Sequence, residues 1–358
     1  MRTRTLTALS LLAASLAFGL AAAPASAQLP VGRAQPAGSG VQAGSDVREG
    51  LVRSLCKHQE PPPPARRGAF RPRSPGPFPY TVKEIPGVVA AGARWKLIWV
   101  HNGNNLDGIV GQPDGSILAA QNDLSDVVKI TPDGRTTVEY VDTNTGGALS
   151  QNKQGALFIV ERALIPSVWE LAPERKMIAD SYQGQPFECF GRGAFDAPAA
   201  LHTGGMYFGW AGLYYTSPQG VVSKVFDQDV NGIVLSRDEK QLYFASAGKL
   251  YVADVGEDGL LSNRRMLADI PGGGNDGATI DGEGRIYVTG YPGVRVFTGE
   301  GKYLGTIAAP RNLISVAFAG PDKKTLFAVA YVFEPGQHGL DELYTIPMTA
   351  QGYMGRAK

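Results

Sequence analysis

From Lys83 onward the hydrophobic positions fall into short runs separated by turn residues, with no long helical stripe. "SILAAQ", "ALFIVE", "MYFGWAGLYYT", "QLYFAS", "KLYVADV", "RIYVTG", "VRVFTG" and "TLFAVAYV" are rich in β-branched and aromatic residues, which suit a pleated surface. Between them stand "QPDG", "TPDG", "DGEG" and "GPDKK", where Gly, Pro and Asp supply turn conformations. The pattern predicts an all-β fold of short strands joined by tight turns.

The runs recur as one phrase: a small or polar residue, a strand, a turn and a second strand. Copies begin at Leu106, Gly146, Ala197, Asp229, Asn275 and Ile314. With Asp107, Gly146, Ala199, Asn231, Asp276 and Ser315 as anchors, the interval runs from 32 to 53 residues, which brackets one four-stranded propeller blade. Six copies predict a six-bladed β-propeller around a central channel, spanning 83–358. A β-sandwich would not repeat one phrase in this way.

The first 82 residues are different in kind. Arg2 and Arg4, an apolar run and Ala25-Ser26-Ala27 form a secretory signal peptide over 1–27. The mature chain is then exported, to the periplasm or the medium, with no membrane attachment after cleavage. Residues 28–82 form a flexible extension. "SDVREGLVRSLCKH" could make one short helix capped by Ser45, and "EPPPPARRGAFRPRSPGPFPY" should be extended.

Charge excludes one class of partner. The formal net charge is +1 and becomes −1 without the two leader arginines, with no basic stripe, so nucleic acid is not an expected ligand. Of the two cysteines, Cys56 and Cys189, the sequence leaves two readings: one disulfide tying the extension to the body, or two separate thiols. With four histidines and no GxSxG elbow, no Ser-His-Asp set can be assembled. Neither a P-loop nor a dinucleotide fingerprint is present.

"NGIVLSRDEKQLYFAS", "GNDGATIDGEGRIYVTG", "GVRVFTGEGKYLGTI" and "VAFAGPDKKTLFAVA", in that order between Asp229 and Val332, resemble the gluconolactonase/senescence-marker-protein (regucalcin) family of six-bladed propellers. The weaker half, Asn105 to Ser217, fits the same register, so the resemblance covers most of residues 100–345. It implies a divalent metal in the channel, held by acids and an amide that open different blades. Carried over residue by residue, the middle-blade Asn is Asn231 and the later Asp is Asp276. The first-blade acid, usually Glu, falls on Asp107, one methylene shorter. Hard oxygen donors of this kind suit Ca²⁺ first, with Mg²⁺, Mn²⁺ or Zn²⁺ as alternatives.

The resemblance breaks at the third blade, where the family carries an Asn-Asp pair. Anchored on Pro198, the pair falls on Ala199-Ala200, which can coordinate nothing. Anchored without a gap on "GGMYF", Asp196 takes the Asn position. The proline anchor is preferred. Further pocket candidates are Asp196, Arg162 after "ALFIVE", His202 and Tyr291. What the resemblance implies is an exported, metal-dependent hydrolase that opens a sugar lactone or similar cyclic ester, a small-molecule substrate, with Asp276 as general base. The alternative is a metal-binding propeller with reduced catalysis that serves as a ligand-binding or interaction protein. A third reading is another reaction on the same fold, such as phosphotriester hydrolysis, a lyase or a condensation reaction.

Overall fold

The computed structural model of the chain describes residues 77–102, 106–122, 124–162, 166–187, 196–274, 276–291, 293–332 and 340–356. The expected leader, most of the Pro-rich extension and both cysteines lie outside the described residues. Six four-stranded antiparallel sheets follow one another along the chain, with one small extra hairpin, Ser181–Tyr182 against Gln185–Pro186. The first strands of the six blades are Leu106–Gly111, Gly146–Gln151, Asp196–Ala200, Asn231–Leu235, Ala278–Ile280 and Ser315–Ala319. This is the expected six-bladed propeller, and among the described residues no helix is long and apolar enough to cross a membrane.

Burial falls from the axis outward, and the sequence encodes that gradient. The first strand of blade 1, "LDGIVG", is buried at every position, whereas its fourth, "TTVEY", is half-buried to exposed. In blade 4 the fourth strand, "LSNRRMLAD", carries its charges outward. An inner strand is enclosed by both neighbouring blades and the axis; an outer strand has water along one edge.

Six apolar clusters sit one at each blade-to-blade interface, from Val110, Leu118 and Leu149 between blades 1 and 2 to Tyr287, Val316 and Phe318 between blades 5 and 6. The ring closes by exchange. Blade 6 takes its outermost strand, Lys96–Asn102, from ahead of blade 1, and that strand pairs antiparallel with Leu340–Pro347. The segment ahead of the first blade packs against the ring. Val82, Ile85, Val88, Val89 and Trp95 join the cluster between blades 5 and 6, and the Trp95 indole donates to the Ala308 carbonyl at 2.8 Å.

The C-terminal segment fastens the end of the ring where first strands turn into second strands. Gly352 bridges Asp281 of blade 5. Lys323, in the corresponding turn of blade 6, donates to the carbonyls of Tyr353 and Arg356. Arg356, itself buried, reaches the Leu235 and Ser236 carbonyls and Glu239 of blade 4.

Candidate functional site

Three blades open with the same local device. Asp107, Asp196 and Asn231 stand at or next to the start of a first strand, and each side-chain Oδ1 accepts the N–H of the next residue, at 2.7, 2.7 and 2.9 Å. That next residue is left-handed in all three: Gly108 at φ 52°, Ala197 at φ 47° and Gly232 at φ 57°. The register with the second strand then slips, between Asp107 and Val110, Asp196 and Ala199, and Asn231 and Val234. A bulge re-aims the side chain that precedes it, so the opening residue turns toward the axis. Glycine is required at 108 for a second reason. A Cβ there would lie 2.2 Å from the Ala148 Cα of the next blade.

Asp276 arrives differently. It stands two residues ahead of its strand, and the N–H of Gly277 donates to the Ile314 carbonyl of blade 6 at 2.6 Å. The blade-6 anchor, Ser315, is structural: its hydroxyl accepts the Ile109 N–H of blade 1 at 3.2 Å.

These placements converge. Carboxylate oxygens of Asp107, Asp196 and Asp276 all lie within 4.8 Å of one another. Asn231 belongs to the same group, its Nδ2 donating to Asp276 Oδ1 at 3.1 Å. Two sequence expectations need correcting. The third-blade anchor is Asp196, not Ala199. Alanine in the left-handed position hides the Asp-Gly signature, and the proline two residues on drew the register off. Asn231 also does not aim its amide oxygen inward. That oxygen is taken by the Gly232 N–H, and the amide nitrogen faces Asp276.

A cation of the chain's own is among the carboxylates. Arg162 Nη2 lies 2.9 Å from Asp196 Oδ2 and 3.5 Å from Asp107 Oδ2, and Nη1 donates to Asn122 Oδ1 at 3.3 Å. Burial pulls the guanidinium pKa down, but Asp196, Asp107 and Asp276 more than offset it, and the net shift is upward. Asn122 was not foreseen. It follows the second strand of blade 1 as Arg162 follows that of blade 2, so the two hold one register position in successive blades. That equivalence is the signal that could have found it.

The two further candidates stand at different ends of their blades. His202 lies two residues past the far end of the strand that Asp196 begins, up to about 20 Å along at ~3.3 Å per residue. There its Nδ1 and backbone N–H both meet Glu239 Oε2, at 2.5 and 2.9 Å. Tyr291 is half-exposed at the turn after the second strand of blade 5, its ring edge-on to Phe78 at 5.5 Å.

Glu161, beside Arg162 in sequence, has a structural role with a pH signature. Burial pushes its carboxyl up to about 7, only partly offset by Arg175 and Asn144. A group whose pKa is raised on folding stabilises most when protonated. That contribution is fully present below the ordinary carboxyl value of 4.5 and is lost as pH rises through about 7. Glu161→Gln is therefore expected to stabilise the protein at pH 8 by roughly 2–3 kcal/mol and to flatten stability between pH 4.5 and 7, read by denaturant titration.

Comparison with known proteins comes to the same architecture. The family model described as SMP-30/Gluconolactonase/LRE-like region matches residues 142–331. A gluconolactonase of Zymomonas mobilis is 22% identical over 280 residues, 68% of this chain and 78% of that one. A regucalcin of Xenopus laevis is 33% identical over 129 residues, 33% of this chain and 43% of that one. Among solved structures, a gluconolactonase of Xanthomonas campestris superposes with a TM-score of 0.60 at 18% identity, covering 78% of this chain and 99% of its own. A regucalcin of Agrobacterium tumefaciens, described as a calcium-binding protein, gives 0.56 at 18% identity, covering 71% and 94%.

Proposed function

Because the chain belongs to the SMP-30/gluconolactonase/LRE-like family, we propose that it is a lactonase-type hydrolase, exported by its leader, that opens a sugar lactone or similar cyclic ester over a divalent cation. The observation that carries this reading is the meeting of Asp107, Asp196 and Asp276 from three blades within 4.8 Å. Like charges so close disfavour one another's ionised form unless cations neutralise them. Arg162 offsets one of the three, and a 2+ ion balances the remaining two. The donors are carboxylates with no His or Cys among them, the set that suits calcium, magnesium or manganese. The calcium-binding description of the Agrobacterium regucalcin favours calcium among these.

A divalent cation held there would polarise the lactone carbonyl and acidify the attacking water. The chain's own residues supply the rest. Asp276 is only half-buried, unlike Asp107 and Asp196, so it is the carboxylate best exposed to incoming water and substrate. It would accept the water's proton as the new C–O bond forms and return it to the ring oxygen as the lactone's acyl C–O bond breaks. The Asn231 amide fixes the orientation of Asp276 by donating to one of its oxygens. Asp107 and Asp196 each have one oxygen pinned by a backbone N–H, which leaves the other directed at the cluster.

A second reading is a propeller that binds a ligand without turning it over. Arg162 favours it, since the guanidinium already lies against two of the three carboxylates. The deciding experiment is a panel of aldonolactones assayed by acid release on chelator-treated protein, with Ca²⁺ or Mn²⁺ restored. Cation-dependent turnover is expected. Cation binding without turnover across the panel would favour the ligand-binding propeller, and absence of binding would remove the metal site.

A further inference from the structure

We propose that Arg162 is a tethered counter-ion that competes with the divalent cation for the carboxylate cluster, and so sets the cation affinity and holds the cation-free pocket together. The inference rests on the metal reading above and goes beyond it.

The geometry makes the competition direct. Asp107 and Asp196 each commit Oδ1 to a backbone N–H, of Gly108 and Ala197. The Oδ2 atoms remain directed at the cluster, and Arg162 Nη2 approaches those same two atoms, at 3.5 and 2.9 Å. A cation that takes the Oδ2 atoms must displace the guanidinium or sit against it. The arginine cannot relieve the conflict by losing its proton, because a guanidinium stays charged in proteins.

Space for the arginine is provided by the first strand of its own blade. A Cβ on Gly147 would lie 2.1 Å from Arg162 Nε and 2.5 Å from Cζ. Gly147 is not in a left-handed conformation, so its backbone does not demand glycine. What a side chain at 147 would exclude is the guanidinium. The second blade therefore contributes no oxygen at its opening pair, Gly146-Gly147, and contributes a positive charge instead. Asn122, in the equivalent position of blade 1, accepts from the other arm of the guanidinium and fixes its pose.

Two substitutions separate the charge from its placement. Arg162→Gln removes the charge and keeps most of the bulk. Gly147→Ala keeps the charge and evicts it from the cluster. Calorimetric Ca²⁺ titration of chelator-treated protein is expected to show at least about tenfold tighter binding in both variants than in the wild type. Without metal, Arg162→Gln should melt several degrees below the wild type, and saturating Ca²⁺ should raise its midpoint more than it raises the wild type's. Circular dichroism would establish that both variants are folded. If the wild type binds Ca²⁺ and neither variant binds more tightly, the counter-ion role is overturned and the metal site stands. If the wild type and both variants all fail to bind, the metal reading falls and takes this inference with it. Binding by the variants alone would support the competition in its strongest form.

Discussion

Asp276→Ala is expected to lower lactone turnover by about a thousandfold or more and to weaken divalent-cation binding in the same protein. The two losses have different origins, and a second substitution separates them. Asp276→Asn keeps the volume and one oxygen but cannot take a proton from water. It should retain part of the cation affinity while turnover falls by about 10²–10⁴, the range for loss of a general base. Asp196→Asn should do the reverse. It removes a carboxylate that faces Arg162 and the cluster at 2.9 Å from the guanidinium, so affinity should fall more than the chemical step. Full turnover in Asp276→Asn at saturating cation would move the base to another group and leave Asp276 as a ligand alone.

The fold was legible because every blade repeats the same local chemistry. Strand-like runs alternate with turns such as "QPDG" and "DGEG", and the interval between copies matches one blade. Ring closure was not legible. The strand "KLIWVHN" pairs with Leu340–Pro347, joining segments from the two ends of the propeller with no local trace. The site divides along the same line. Asp107 and Asn231 stand before glycines whose left-handed conformation the bulge requires, so a dipeptide announced them. Asp196 uses an alanine for that conformation, and the announcement was lost. Arg162 and Asn122 follow second strands, where no dipeptide marks an inward-facing residue; Arg162 was a candidate by its place after "ALFIVE", and only the register it shares with Asn122 in blade 1 identifies the latter. His202 was misplaced because nearness in sequence says nothing about which end of a strand a residue occupies. A five-residue strand carries the chain from one end of the channel to the other.

That far end carries the largest expected effect on stability. Arg356→Ala should destabilise the protein by about 3–5 kcal/mol, the cost of leaving a buried charge without its partner. Glu239 is the charge at risk. It is 4% exposed and is held by Arg356, Lys153 and His202. Burial opposes its ionisation, but hydrogen bonds from His202 and the charges of Lys153 and Arg356 more than offset it and hold the carboxyl below its ordinary value. A depressed carboxyl stabilises the fold above its unfolded pKa and loses that contribution as pH falls through the folded one. The wild type should therefore lose stability on the acid side, and Glu239→Gln should lose less. Arg356 also anchors the C-terminal segment to the Leu235 and Ser236 carbonyls. Its loss frees the strap that joins blades 4, 5 and 6. Combining Arg356→Met with Glu239→Gln should cost less than the sum of the two single changes, since neither charge is then left alone. Thermal denaturation of the four proteins measures the coupling. Cation affinity measured alongside should not move, because Arg356 and the carboxylate cluster lie at opposite ends of the first strands. Additive single effects would mean that Glu239 is held well enough by Lys153 and His202, and that the arginine acts only through the two carbonyls it caps.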